Sequence, residues 1–377
     1  MATENPFVFG KAAEATFFTD REEDAKRLRS NLTHGINTIL ISPRRWGKTS
    51  LVKKVVADIG QNDFLPIFID IFQCKSERDF CFNFATNVIK QSASKIEEWV
   101  EMAKTFLSSI TPKFSFGPDP MTDFSISFEW EKKEDTIANI LQLPEQIAQK
   151  KGVPVILCID EFQQIGNFSD PLTFQKQLRS VWQHQQNVTY CLFGSKKHLM
   201  EFIFNEKSMP LFKFGDMLFL KKISTDQWIR FICNKFQRTG KSISPELAER
   251  ICLLTDNLSS YVQQLSWIVW YKSDKIATNL DVNSALNDIL EQNKVFFQRE
   301  VEQLTELQYN FLRALANGVT TGFSRKEVIQ KYKLESSANI QAIKKSLLAR
   351  DIIQVEGMTI SFTDALFKIW IQRQRTI

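Results

Sequence analysis

Ile36-Asn37-Thr38-Ile39-Leu40-Ile41-Ser42-Pro43-Arg44-Arg45-Trp46-Gly47-Lys48-Thr49-Ser50 is the stretch from which the fold of this chain is read. Ile36–Ile41 is a short β-branched run of strand type, and apolar residues recur at helical spacing from Lys48 to about Ile59. Between them, residues 42–49 fit G-x-x-x-x-G-K-[ST] except at the first position, where serine stands for glycine. In such a strand-loop-helix unit the backbone N–H groups of the loop and of the helix start face an anion, and a lysine adds a point charge. Gly47 permits close backbone approach, Lys48 is placed for phosphate oxygens, and Thr49 offers a hydroxyl to a divalent cation. A bare Gly-Lys-Thr is common by chance, so the flanking strand and helix carry the weight. Ser42 need not break the pattern, because its own backbone need not adopt positive φ.

A cation at a phosphate chain calls for a hard oxygen ligand on the opposite side. Val155-Ile156-Leu157-Cys158-Ile159-Asp160-Glu161, about 110 residues downstream, supplies one at the end of an apolar run. Asp160 is the candidate metal ligand with Thr49, and Glu161 the candidate for polarising an attacking water. Taken alone, an acidic pair after a strand is equally a helix cap. The phosphate-loop pattern is what raises it to a site.

Working outward, strand-length runs at Leu65–Phe72, Val153–Ile159, Val188–Phe193 and Met217–Leu220 alternate with helical segments near 20–32, 76–91, 134–150 and 173–186. Continuous apolar strands are those a parallel sheet buries on both faces, so residues 1–222 are expected to form a three-layer α/β core with a mostly parallel sheet. Alternation in Phe124-Ser125-Ile126-Ser127-Phe128 predicts a strand or hairpin inserted within 111–130, and Pro144 predicts a break or kink in the helix around it. After Lys222 strand signals stop. Ser224-x-x-Gln227 and Ser244-Pro245-Glu246 open helices, and others follow near 258–271 and 282–292, giving an all-helical module over 223–293. Residues 294–377 change again. Thr305-x-x-Gln308 caps a helix that ends at Gly318, Ser324-x-x-Glu327 caps a second, and Ser336 or Ser337 a third. Ile352–Val355, a turn at Glu356-Gly357 and Met358–Phe362 then make a hairpin. Three helices and a hairpin is the order of a winged helix-turn-helix domain.

Composition bounds the rest. Of 377 residues 43% are hydrophobic and 24% charged, ordinary for a folded chain, so extensive disorder is excluded. Gly (13) and Pro (11) are scarce, which argues against a turn-rich all-β design, and 32 Phe give bulk for more than one core. The net charge of +5 is too mild to imply a polyanionic partner. No run approaches the ~20 apolar residues of a spanning helix. Six cysteines without a C-x-x-C pair and three histidines argue against zinc and for reduced, buried thiols. The opening Met1-Ala2-Thr3-Glu4-Asn5-Pro6 has no signal pattern, so a cytoplasmic protein is expected.

The chain resembles P-loop ATPases of the AAA+ superfamily, within the STAND-type group of archaeal and bacterial ATPases related to origin-recognition initiators. The resembling residues are Phe18-Thr19-Asp20-Arg21-Glu22, Pro43-Arg44-Arg45-Trp46-Gly47-Lys48-Thr49, Asp160-Glu161-Phe162-Gln163, Phe193-Gly194-Ser195 and Phe362-Thr363-Asp364-Ala365-Leu366-Phe367. The resemblance implies a P-loop NTPase core followed by a helical lid and a winged helix, with ATP and Mg²⁺ as ligands. It implies that Phe18 and Arg21 border the adenine, that Ser42, Pro43, Arg44, Arg45, Trp46, Gly47, Lys48, Thr49 and Ser50 bind nucleotide, and that Thr49 and Asp160 hold the metal. Glu161, Lys48 and Ser195 are the implied catalytic set. Ser195 would be the polar residue sensing the γ-phosphate, although a plain helix cap accounts for it equally. Arg179, Lys196 and Lys197 are weaker candidates for transition-state charge, with a solvated surface role the default. The lid stretch Thr255–Leu265 lacks the Gly, Pro and Arg of a sensing turn, which puts sensing by the lid and fast turnover in doubt.

Residues 295–377 hold 12 Lys/Arg against 8 Asp/Glu, a surplus of four. The third helix of this domain buries Ile340, Ile343, Leu347 and Leu348 and shows Asn339, Gln341, Lys344 and Lys345 on its other side, which suits duplex DNA. Protein docking is the competing use of such a domain. Two functions follow from different classes: a slow ATPase acting as a nucleotide-driven switch, or a nucleotide-stabilised DNA-binding regulator or initiator-like protein that barely hydrolyses ATP and contacts duplex DNA through its winged helix. The sequence leaves the partner and any homo-oligomer open.

Overall fold

Runs of four to seven apolar residues such as Thr38–Ile41, Val155–Asp160 and Val188–Gly194 are too short to be core helices and too apolar to face water on either side. They form the centre of a parallel sheet. The computed structural model describes residues 5–10, 21–59, 63–128 and 133–374. One compact unit spans Arg21–Lys221, and the other runs from Lys222 onward together with the N-terminal residues.

The first unit contains, in chain order, α1 (Glu22–Thr33), β1 (Thr38–Ile41), α2 (Lys48–Ile59), β2 (Leu65–Asp70), α3 (Glu77–Ser92), α4 (Ile96–Phe106), β3 (Lys113–Ser115), α5 (Pro120–Asp123), β4 (Ser125–Ser127), α6 (Lys133–Lys151), β5 (Val155–Asp160), α7 (Pro171–Trp182), β6 (Val188–Gly194), α8 (Lys197–Asn205) and β7 (Asp216–Phe219). The sheet order is β2-β5-β6-β1-β7, every pair parallel. Register sets Asp70 beside Asp160 and Ile41 beside Gly194, so the strands end together at one edge. The fold is therefore the three-layer α/β architecture of P-loop NTPases. Val155, Leu157 and Ile159 join the core made with α3, α6 and α7, while Ile156 and Cys158 are equally buried on the opposite face. At the exposed edge of β2, the Gln91 amide pairs with the Phe68 N–H (2.8 Å) and carbonyl (2.7 Å), standing in for a missing strand.

Helix starts follow their caps. Ser76 accepts from the Asp79 N–H and Asp170 from the Thr173 N–H. The hairpin expected in 111–130 is β3 paired antiparallel with β4, pinned by Phe124 against Trp99 and Phe114. Pro144 does not break α6, which runs unbroken through it. A mid-helix proline costs about 3 kcal/mol, but Ile137, Ile140, Leu141, Leu143 and Ile147 are all fully buried, and each is worth roughly 1.5–3 kcal/mol of burial. Helix α4 goes beyond the sequence expectation. Its Trp99, Met102 and Ala103, at helical spacing, are buried in the same core.

The second unit holds α9 (Thr225–Arg238), α10 (Pro245–Leu254), α11 (Ser259–Lys272) and α12 (Asn279–Glu302), then α13 (Glu306–Ala316), α14 (Lys326–Tyr332), α15 (Ser337–Ala349), β8 (Ile353–Glu356), β9 (Thr359–Phe362) and α16 (Ala365–Arg373). The capping boxes Ser224/Gln227 and Thr305/Gln308 form as the sequence predicts, and Ser336 caps α15. Ser324 does not cap α14. Arg325 occupies that position without a side-chain bond. Helix α12 runs further than expected, and α16 is additional. Asp364 explains the second: its carboxylate accepts from the Leu366 and Phe367 N–H groups and from the Tyr261 hydroxyl (2.7 Å). Residues 5–10 pack on this unit, with Phe7 fully buried against Phe231 and Phe236 and Phe9 against Trp267. Of the aromatic side chains there, Trp228, Phe236 and Trp270 are buried in the core, Phe231 and Trp267 are half-buried, and Tyr271 is exposed. Among the described residues, no helix is long and apolar enough to cross a membrane.

Phe7 is the aromatic anchor of residues 5–10 and is fully buried. Phe7→Ala is expected to destabilise the unit from Lys222 onward by about 3–5 kcal/mol. Denaturant unfolding followed by tryptophan fluorescence checks this, since Trp228 lies beside Phe231.

Candidate nucleotide site

Three parallel strands deliver the site. Each ends where its last apolar residue gives way to a polar one, and the shared register puts those ends side by side. From β1 comes the loop 42–47, from β5 the pair Asp160-Glu161, and from β6 Gly194-Ser195. Strand-end polar groups in a doubly covered sheet are the usual floor of a ligand crevice.

The loop is shaped by its backbone. Ser42 is buried and its φ is not positive, as the sequence reading allows, whereas Arg45 (φ 70°) and Gly47 (φ 88°) both turn left-handed. Glycine adopts that geometry freely, and an arginine there is strained by roughly 1–3 kcal/mol. Trp46 is buried and anchors the loop, and its carbonyl accepts a 2.7 Å bond from Arg21. The same buried guanidinium donates to the Lys221 carbonyl (2.8 Å) and pairs with Asp24. Arg21 therefore braces the phosphate loop. Phe18, the other expected adenine contact, lies outside the described residues. Arg44 and Arg45 are exposed, while Pro43, Gly47, Thr49 and Ser50 are half-buried.

At the first turn of α2 Lys48 is buried and lies 3.4 Å from Glu161 Oε1 and 3.9 Å from Asp160 Oδ1. Thr49 donates its hydroxyl to Asp160 Oδ2 at 2.9 Å. The two expected metal ligands are thus adjacent, a hydroxyl and a mostly buried carboxylate, a hard-oxygen pair that fits a magnesium ion. Ser195 donates to Glu161 Oε2 at 2.8 Å and is not a helix cap, since Lys196 holds that position before α8. Gln163, buried two residues past Glu161, donates its amide to the same Oε2. Nothing in the sequence reading assigned Gln163 a role. The signal available was its place in the Asp-Glu-Phe-Gln run, but only the left-handed turn at Glu161 (φ 55°) and the following 3₁₀ turn Phe162–Asn167 bring it back to the carboxylate.

Arg179 and Lys197 do not converge here, and Lys196 is the residue before α8. Arg179 bonds Gln183 and lies over the Phe214 ring, and Lys197 lies over Phe219. In the other unit, Asp256 and Asn257 of the expected lid stretch turn left-handed, and Asp256 pairs with Lys222 at 2.6 Å.

Electrostatically the two carboxyls differ. Burial pushes Asp160 up, and the opposing pull of Lys48, the Thr49 hydroxyl and the Glu161 N–H does not overcome it, so Asp160 sits above its ordinary value. Burial also pushes Glu161 up, but Lys48 and bonds from Gln163 and Ser195 outweigh it, leaving Glu161 below its ordinary value. Without ligand the pocket holds two carboxyls and one ammonium.

The fold and this loop define a P-loop nucleotide-binding α/β protein. Residues 18–265 match the family described as an ATPase domain predominantly from Archaea, and the chain belongs to that family. Residues 294–373 match a probable winged helix domain. The fold resembles a Walker-type ATPase of Pyrococcus abyssi, with TM-score 0.68 and 18% identity over 97% of this chain and 99% of that one. It also resembles the Aeropyrum pernix ORC2 protein in its ADPNP-ADP complexes, with TM-score 0.59 and 12% identity over 97% and 98%. The A. pernix ORC1 protein in complex with DNA gives TM-score 0.50 and 12% identity over 95% and 93%. No curated protein sequence matches the chain. The chain thus carries an archaeal-type ATPase domain of P-loop fold followed by a winged helix domain.

Glu161, with its lowered value, supports the fold above the ordinary glutamate range, and that support is lost as pH falls through its folded-state value. Asp160, with its raised value, favours the fold when protonated, and that contribution is lost as pH rises through its folded-state value. Removing the ammonium with Lys48→Met is expected to move both titrations upward. Carboxyl-carbon NMR titration of the two side chains in each protein measures the shift.

Proposed function

We propose that this protein is a magnesium-dependent ATPase that works as a slow nucleotide-driven switch. One observation carries the proposal: Lys48, Thr49, Asp160, Glu161 and Ser195, drawn from three strand ends, form one connected polar cluster beside a phosphate-type loop. ATP would lay its phosphates along residues 42–48, where loop N–H groups and the start of α2 favour anions. Lys48 would leave Glu161 for the β- and γ-phosphate oxygens. Thr49 and Asp160 would hold magnesium, which supplies positive charge against the phosphate chain when bound. Glu161, ionised because of its donors, would take the proton of a water as its oxygen bonds the γ-phosphorus. The bond to the β-γ bridging oxygen breaks, leaving ADP and inorganic phosphate.

Slow turnover suits a chain in which Arg179 and Lys197 are engaged elsewhere and Thr255–Leu265 offers no arginine. The proposal divides the chain into an ATPase core (1–222), a helical lid (223–293) and a winged-helix domain (294–377), with the nucleotide state passed to the last of these. The free cysteines and the charge balance fit a cytoplasmic site of action.

Phosphate release measured against ATP and magnesium tests the proposal. Glu161→Gln is expected to lower kcat by about 10²–10⁴-fold while ATP still binds, and Lys48→Ala to remove binding itself. Equal, near-zero rates in wild type and Glu161→Gln would overturn hydrolysis and leave a nucleotide-stabilised regulator.

The second function, contact with duplex DNA, is favoured by α15. Gln341 and Lys345 are exposed on the side opposite Ile340, Ile343 and Leu347. The wing tip is less suited, since it presents Glu356 and an exposed Met358 where a phosphate contact needs cations. The A. pernix ORC1 protein, similar in fold, has been seen with DNA. If α15 contacts two phosphates, K344A/K345A is expected to weaken binding at low salt and reduce the slope of log K against log salt by about 2. Fluorescence anisotropy with a labelled duplex over a salt series measures both, and no binding by wild type at low salt removes this function.

A further inference from the structure

Gln163 is 3% exposed, and the mechanism above uses it only as one of the donors that keep Glu161 ionised. Its Nε2 donates to Glu161 Oε2, whereas its own Oε1 is buried without a hydrogen-bond partner among the described residues. An amide buried with half its capacity unused is held there for its donor end, because an orphaned carbonyl is otherwise selected against. The space it occupies belongs to Gly194. A Cβ on residue 194 would come 2.0 Å from Gln163 Oε1 and 2.8 Å from Met200 Sδ. The strand end beside the candidate base is therefore cut back to glycine, and the glutamine fills the gap.

The carboxylate is gripped unevenly. Oε2 takes both Gln163 and Ser195 (2.8 Å), while among the described residues Oε1 has only Lys48 at 3.4 Å. A phosphate chain that draws Lys48 away frees Oε1 and leaves Oε2 held. We propose that Gln163, seated over Gly194, is a positioning residue that pins Oε2 of Glu161 and so aims its free oxygen at the attacking water. This rests on the assignment of Glu161 as the base.

The test compares Gln163→Leu, which keeps the volume and removes the donor, with Gly194→Ala, which displaces the glutamine from a neighbouring strand. Each is assayed for phosphate release and, by calorimetry with magnesium, for ATP affinity. Both are expected to lower kcat about 10²-fold, with KM and ATP affinity changed less than about twofold. In the Glu161→Gln background, Gln163→Leu is expected to cost no further rate. A Gln163→Leu rate within twofold of wild type, a fall in affinity matching the fall in rate, or multiplying effects in the double variant would each overturn the proposal. Equal near-zero rates in wild type and Glu161→Gln would overturn the hydrolytic assignment and, with it, any catalytic role for Gln163. The contact itself is read separately from melting midpoints of Gln163→Leu, Glu161→Gln and the double variant. Non-additive shifts support the pinning, and additive shifts overturn it.

Discussion

The contact on which the site depends is the ammonium of Lys48, at the start of α2, held against Glu161 and Asp160 at the end of β5. Two carboxyls side by side in a mostly buried place repel each other and lose hydration, and burial alone pushes both toward the neutral form. One lysine cannot satisfy both. The cluster divides the work: Lys48, Ser195 and Gln163 stabilise the ionised form of Glu161, and Asp160 is left with the Thr49 hydroxyl, the neighbouring N–H and a more distant ammonium. The acid that keeps least compensation is the one beside the threonine, where an added cation would be most welcome. The acid that keeps most is Glu161, the one proposed to accept a proton.

That arrangement depends in turn on parallel register. Because β1, β5 and β6 pair parallel with Ile41 beside Gly194 and Cys158 beside Cys191, their chemistry emerges on one edge without any long side chain having to search for it. The strands must be covered on both faces, so nearly every residue in them is apolar, and the polar residues collect at the ends. At these ends Arg45, Gly47 and Glu161 take positive φ. The strain is borne where the chain must turn sharply out of the sheet to present N–H groups and a carboxylate, and the packed sheet beneath holds it in place.

Much of this was legible in the residues. Apolar runs bounded by Ser-Pro-Arg and Asp-Glu fixed the strands, and Ser224, Thr305 and Ser336 marked helix starts because a side-chain oxygen three residues before an N–H is a local geometry. What escaped was non-local. Pro144 reads as a break because the lost hydrogen bond is visible in sequence and the compensating burial of Ile140 and Ile147 is not. Ser324 has the cap spacing but Arg325 takes the position. Ser195 could be either cap or site residue until β6 was set beside β5. Gln163 carries no periodic or charge signal at all. Its role emerges only when Gly194, 31 positions later, is seen to leave room for it.

The glycine also explains why the site tolerates a buried, half-satisfied amide. Oε1 of Gln163 could be satisfied only by a donor placed against Gly194, and any side chain at 194 would evict the glutamine before it could bond to it. Turning the amide over would bring its carbonyl against the Glu161 carboxylate, exchanging an orphaned acceptor for a direct repulsion. Of the two orientations, the one with the donor toward Glu161 has the smaller penalty while that carboxylate is ionised. The ionised state of Glu161 and the orientation of Gln163 therefore select each other.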